Sequence, residues 1–254
     1  LEGSIFGNKF WYYNSLESTH TVAKGLAEGG APEGSVVLAE AQTAGRGRLG
    51  RRWLSPAYAN LLFSVLLRPR IPADRVFVMT MLLALATVDA VKEATGLAAM
   101  IKWPNDLYVG GGKLGGILTE FSLAGRQVDY VLLGLGLNVN WNPEGAAGVL
   151  SPPTSLRAEA GRPVSRERLL VRVLRSLEGY YGRAAAGETE EIYENWNRFS
   201  LLTDERVEVD LGQERVRGRV IRIDRDGALV IEKETGGVQR IMNGDVSLRR
   251  RRRA

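Results

Sequence analysis

The sequence predicts an α/β (α+β) protein in two parts, a mixed sheet with flanking helices followed by a small β-barrel. Three observations carry this expectation. Between Met100 and Asn140, short apolar runs follow one another through tight turns, which favours an antiparallel or mixed sheet over repeated βαβ units. Arg75 to Thr95 has helical length and is apolar nearly all round, so it belongs in a core. From Arg206 onward the helical period gives way to alternating apolar residues broken by glycines.

Each element can be justified in order. Phe10 to Ser15 reads as a short strand, and Ser18 or Thr19 caps a helix that runs to Glu28 and stops at Gly29-Gly30. Ser35 to Ala39 and Asn60 to Leu67 are apolar strands, the second ended by Pro69 and Pro72. Asp74 is the expected cap of the long helix, which stops at Gly96. Met100 to Trp103 is a strand closed by the turn residues Pro104-Asn105-Asp106. Leu107 to Val109 and Lys113 to Ser122 flank Gly110-Gly111-Gly112, a hairpin signal. Asp129 to Asn140 follows another turn, and Pro143 to Pro153 reads as loop. Ser165 caps a helix through Arg183 with the stripe Leu169, Leu170, Val173, Leu177 and Tyr180, and Glu188 to Phe199 is a further helix. Four or five short strands then fit a barrel of SH3-like size. The expected division is a domain over residues 1–200, a barrel over 201–248 and a tail over 249–254.

Composition narrows the function classes. The 254 residues suffice for a substantial core, and 44% hydrophobic with 25% charged residues is ordinary globular usage. Val76 to Val88, the longest apolar run, falls short of the ~18 residues a membrane span needs. The opening Leu1-Glu2-Gly3-Ser4 carries no secretory pattern and points to a trimmed start, so a cytoplasmic location is expected. With no cysteine and one histidine, thiolate chemistry is excluded, and His-based triads or zinc sites are disfavoured. The net charge of +5 equals the five arginines Arg249 to Arg253, so the remaining chain is neutral. A nucleic-acid reading would therefore rest on that tail, and would predict steeply salt-dependent binding lost on its deletion.

The stretch Gln42 to Trp53, Q-T-A-G-R-G-R-L-G-R-R-W, carries the strongest chemistry. Glycine-rich loops present successive N–H groups to anions. Arginine forks suit carboxylate and phosphate oxygens, and tryptophan offers a flat face to a ring. Gly45, Gly47 and Gly50 also match G-x-G-x-x-G. That motif has meaning only where it opens a helix after a strand, with an acidic residue about 20 positions on. Arg51-Arg52-Trp53-Leu54-Ser55-Pro56 is a poor helix start and no acid follows at that spacing, so a dinucleotide site is rejected. Three further stretches read as site. These are Lys102-Trp103-Pro104-Asn105-Asp106, Gly112-Lys113-Leu114-Gly115-Gly116-Ile117-Leu118, and Gly134-Leu135-Gly136-Leu137-Asn138-Val139-Asn140. Strand glycines imply a close approach to the backbone, and residues 134, 136 and 138 share a face.

In this order, with Ser18-Thr19 before them and Thr154-Ser155-Leu156, Gly227-Ala228-Leu229 and Val246-Ser247-Leu248-Arg249 after, these motifs resemble the biotin–protein ligase family over nearly the whole chain. The form resembled lacks the N-terminal DNA-binding domain, because few residues precede Ser18. The resemblance implies a catalytic domain like that of class II aminoacyl-tRNA synthetases with an SH3-like domain behind it. It also implies joining of biotin to ATP to give biotinyl-5′-AMP, then transfer to a lysine of a biotin carboxyl carrier domain, with magnesium accompanying ATP. Carried over by position, Lys113, Arg48 and Lys102 are the expected catalytic groups. Ser18, Thr19, His20, Gln42, Gly45, Arg46, Gly47, Arg48, Lys113, Gly115, Gly116, Gly134 and Gly136 would hold biotin. Arg48, Arg51, Trp53, Lys102, Asn105 and Asn138 would hold the nucleotide. Asp106 is our own candidate for handling the acceptor lysine. Homodimers are common in this family, and the arginine loop is expected to order over the adenylate. One departure stands out: His20 occupies the position where the family usually has Asn, which bears on affinity and pH dependence. A lipoate or octanoate ligase is the nearest alternative, disfavoured by the arginine run, by K-W-P-N-D and by the C-terminal strands.

Overall fold

The structure is a computed structural model that describes residues 4–7, 9–143 and 152–248. Most of the expected loop between Pro143 and Pro153, and the whole arginine tail, lie outside the described residues. The chain begins with β1 (Phe10–Tyr13), α1 (Thr19–Glu28), β2 (Val36–Ala39) and β3 (Leu61–Leu67). The long helix α2 (Phe77–Thr95) follows, then β4 (Met100–Lys102), β5 (Asp106–Val109), β6 (Gly112–Ala124) and β7 (Gln127–Leu137). Helices α3 (Leu156–Ala160), α4 (Arg166–Ala185) and α5 (Glu190–Arg198) come next. β8 (Arg206–Asp210), β9 (Arg215–Ile223), β10 (Leu229–Lys233), β11 (Val238–Ile241) and β12 (Asp245–Leu248) complete the described chain.

The first seven strands form one mixed sheet in the order β1-β2-β3-β7-β6-β5-β4, in which only β1 and β2 run parallel. Strand periodicity divides its faces. Leu61, Phe63, Val65 and Leu67 of β3, with Val131, Leu133, Leu135 and Leu137 of β7, join the core formed with α2. Leu66 and Leu132 point the other way, into a smaller cluster with Ala23 and Ala27 of α1. On that second face the apolar cover gives way to Ser64, Gly134 and Gly136, over which His20 and Trp53 pack.

Helix α2 is apolar all round because it is enclosed by the sheet on one side and by α4 and α5 on the other. Asp74 does not cap it. Ala73–Arg75 is a 3-10 turn, and the amides of Val76 and Met79 bond to the carbonyls of Ala73 and Val76, so early donors find backbone partners without a side-chain cap. At the other end Gly96 takes the left-handed conformation that stops the helix. Ser18 and Ser165 do cap α1 and α4, accepting from His20 N and Arg168 N. The short α3, capped by Ser155, lies in what sequence reasoning left unassigned.

The last five strands form an antiparallel sheet in the order β11-β10-β9-β8-β12 around Val207, Val209, Val220, Leu229 and Ile231. This sheet is tied to the first. The Trp103 indole donates to the Gly227 carbonyl at 2.8 Å, and the Asn197 amide both donates to and accepts from the Ile223 backbone. Gly227 has φ 90°, and a Cβ there would lie 2.2 Å from the Phe77 ring, so only glycine fits.

Candidate active site

The register of the large sheet lines up the motif residues. Lys102 pairs with Asp106, Asp106 with Gly116, and Gly116 with Gly136, so four strands place these residues in one row on one face. Ser64, Gly134 and Leu118 form the adjoining row. A β-bulge at the start of β6 pairs Leu107 with Gly115 and Tyr108 with Lys113, leaving Leu114 over. Strict alternation would place Lys113 and Gly116 on opposite faces; the bulge brings both to the cleft and leaves Leu114 buried. Gly115 turns instead toward the core, where a Cβ would strike Leu137 and the Gly136 carbonyl.

The arginine loop folds over this glycine floor. It closes as a hairpin-like turn through Gly47 N to Arg51 O and Trp53 N to Gly45 O, at 2.7 and 2.9 Å. A 3-10 turn at Arg48–Gly50 lies between, with Gly50 at φ 72°. The Trp53 ring rests on Gly136, where a Cβ would come within 2.5 Å of it, and near Gly116. Its indole nitrogen has no hydrogen-bond partner among the described residues. A Cβ at Gly45 would strike the Trp53 carbonyl at 2.5 Å, so the alternating glycines serve the loop's own closure as well as any ligand.

Cations gather at this end of the cleft. Lys113 Nζ lies 2.8 Å from Asp106 Oδ1 and 5.9 Å from the Trp53 ring. Arg48 donates to Asn105 Oδ1 at 3.4 Å, and Asn105 in turn donates to the Ile117 carbonyl. Burial pushes Arg48 below the ordinary guanidinium value, with the Arg51 charge adding to it and Asp106 and Asp245 opposing. Burial likewise pushes Lys102 down, helped by Lys113 and opposed by Asp106 and Asp245. Half-buried cations with only partial compensation attract anionic ligands. Arg51 is drawn aside, paired with Asp245 of β12.

The opposite end is polar, and its two charges, Glu120 and Arg46, are paired. Gln42 Oε1 accepts from Thr19 N at 2.7 Å and from Thr19 Oγ1, which also lies 2.9 Å from Ser64 Oγ. His20 is buried beside Gly134, its Nε2 3.4 Å from Glu120, whose second oxygen accepts from Arg46 at 2.9 Å. Ser64 and Glu120 escaped sequence reasoning; their signal is a lone polar residue inside Leu61-Leu62-Phe63-Ser64-Val65-Leu66-Leu67 and an acid inside the strand β6. Two expected ligand groups are engaged with the scaffold. The Ser18 hydroxyl caps α1, and the Asn138 amide bridges the Thr154 carbonyl and Asn60.

Fold and site define an α/β ligase-type enzyme, with a glycine-floored site cationic at one end and polar with paired charges at the other, and a small β domain attached. The chain belongs to the biotin/lipoate A/B protein ligase family, matched over residues 12–138, with a biotin protein ligase C terminal domain matched over residues 203–249. It is 33% identical over 249 residues to the bifunctional ligase/repressor BirA of Bacillus subtilis, covering 98% of this chain and 76% of that protein. It is 34% identical over 225 residues to the biotin–[acetyl-CoA-carboxylase] ligase of Paracoccus denitrificans, covering 87% and 92%. The biotin protein ligase of Aquifex aeolicus in complex with biotin and ATP superposes with a TM-score of 0.80 at 29% identity, covering 96% of this chain and 100% of that one.

Proposed function

We propose that the chain is a biotin–protein ligase that joins biotin to ATP as biotinyl-5′-AMP, releasing pyrophosphate, and then passes the biotinyl group to a lysine of a biotin carboxyl carrier domain of a carboxylase. The observation that carries the reading is the two-ended cleft. A bicyclic ring bearing N–H donors and a carbonyl suits Thr19, His20, Gln42 and Ser64. A carboxylate meeting a phosphate suits Lys113, Arg48 and Lys102.

In the first step a biotin carboxylate oxygen attacks the α-phosphorus and pyrophosphate leaves. Both reactants are anions, so the barrier is lowered by cations that offset repulsion and by holding the groups in line. No nucleophilic side chain is required. Lys113 and Arg48 are assigned to the carboxylate and α-phosphate, and Lys102 to the phosphate side. Arg46, Gly45 and Gly47 would cover the bound acid from the loop, while Trp53, Arg51, Asn105 and Asn138 would border the nucleotide. Magnesium would arrive with ATP and be held by its phosphates; among the described residues, no cluster of three His, Asp or Glu side chains offers a cage. In the second step the lysine amine attacks the biotinyl carbonyl carbon, AMP departs, and the amine proton passes to a base, which we assign to Asp106.

Incubation with biotin, ATP, magnesium and a purified carrier domain is expected to add one biotinyl group to one carrier lysine, read by mass spectrometry. Adenylate formation without that mass gain would contradict the second half of the proposal. Two further outcomes follow from the floor and the cations. Gly136→Val is expected to displace Trp53 and raise KM for both biotin and ATP about 10–100-fold, the size of an overpacking of about 1–3 kcal/mol. The Lys102 charge is present below its lowered pKa and is lost as pH rises through it. KM for ATP is therefore expected to begin rising below the ordinary lysine value of ~10.4, and Lys102→Arg to move that limb upward.

A further inference from the structure

His20 is the chain's single histidine, and neither of its ring nitrogens has a hydrogen-bond partner among the described residues. Buried polar atoms left unpaired are costly and mark a place where a partner is missing. The ring lies against Gly134, where a Cβ would sit 2.9 Å from Nδ1. On its other side Nε2 faces Glu120 Oε2 at 3.4 Å, an electrostatic contact. The second Glu120 oxygen accepts from Arg46 Nη2 at 2.9 Å, which ties the arginine loop to the same carboxylate. The contact with His20, ahead of the charges of Arg46 and Lys24, holds the Glu120 carboxyl below the usual carboxylate range despite partial burial. Glu120 is therefore an acceptor only.

A carboxylate beside one imidazole nitrogen decides which nitrogen carries the proton. We infer that Glu120 is a positioning residue acting through His20: it keeps the proton on Nε2, leaves Nδ1 bare against Gly134, and so fixes the imidazole wall that the ring of the bound acid meets, while pinning Arg46 beside it. The inference rests on biotin being that acid. An Asn at this position would need no such partner, because its amide carries its own donor and acceptor.

A single histidine makes the tautomer directly readable. Tag-free protein labelled with 15N-histidine, without ligand and well above the ordinary imidazole value of ~6.5, gives one imidazole in a long-range 1H–15N spectrum. Protonated Nε2 with bare Nδ1 is expected, and a mixture of tautomers in Glu120→Ala. That variant is expected to raise KM for biotin about tenfold, with kcat for pyrophosphate release changed less than about twofold. In a His20→Asn background the same Glu120→Ala change is expected to move KM for biotin less than about threefold, the part that acts through Arg46, since the route through His20 is gone. A wild-type ring protonated on Nδ1, a tautomer insensitive to Glu120→Ala, or an equal KM effect in both backgrounds would each overturn the inference. Glu120→Gln, closer in shape, repeats the measurement if the alanine variant folds poorly. The spectrum is read without ligand, so a wrong acid would leave the tautomer result standing and fail only in the kinetics.

Discussion

Replacing Lys113 with alanine is expected to lower biotin-dependent pyrophosphate release by about 10²–10³-fold, the effect of removing one preorganised charge donor. The bulge at Leu114 turns this lysine onto the glycine floor, and the only ion pair it makes among the described residues is with Asp106. Its charged end makes a partly exposed ion pair that contributes little to folding, so the thermal midpoint is expected to fall only slightly. The deficit belongs in kcat, because the charge it offsets grows as the carboxylate approaches phosphorus. Lys113→Arg is expected to recover part of the rate. A Lys113→Ala enzyme within a few fold of the parent would remove this residue from the reacting centre.

The second large effect is expected for Asp106→Asn, and in the other half-reaction. Adenylate formation is expected to stay within about tenfold, the worth of one partly exposed ion pair. Transfer from preformed adenylate to a carrier domain is expected to fall by about 10²–10⁴-fold, the span for loss of a general base. Asp106 faces Lys102 across β4 and β5 and holds Lys113, so it sits among the cations assigned to the first substrates while keeping a carboxylate on the same face. Single-turnover chase of isolated adenylate separates the steps. Transfer at the parental rate would show that the acceptor lysine loses its proton elsewhere.

Much of this was legible in the order of residues. The glycine–arginine loop, K-W-P-N-D and the glycines of β6 and β7 read as one site, because glycines inside strands and arginines among glycines have few other uses, and the register brings residues from each strand motif to one face. The two sheets followed from strand spacing. What stayed hidden depends on register and on side chains meeting across the fold. The Leu114 bulge decides that Lys113 rather than Gly115 faces the cleft, and no local propensity marks it. Ser64 looks like a blemish in an apolar strand until Gly134 is placed beside it. Glu120 gains meaning only from His20, a hundred residues earlier in the chain. Asp74 looked like a helix cap because its residue type suits one, yet the 3-10 turn satisfies early donors of α2 through the backbone.

The central claim, that this cleft activates biotin, is tested most directly by pyrophosphate release from purified protein, ATP and magnesium, with biotin, lipoate and octanoate offered separately. Turnover with biotin alone, lost in Lys113→Ala, is the predicted result. Turnover with lipoate or octanoate in its place would keep the adenylating chemistry and contradict the assigned acid, and no turnover with any of the three would contradict the assignment of the cleft.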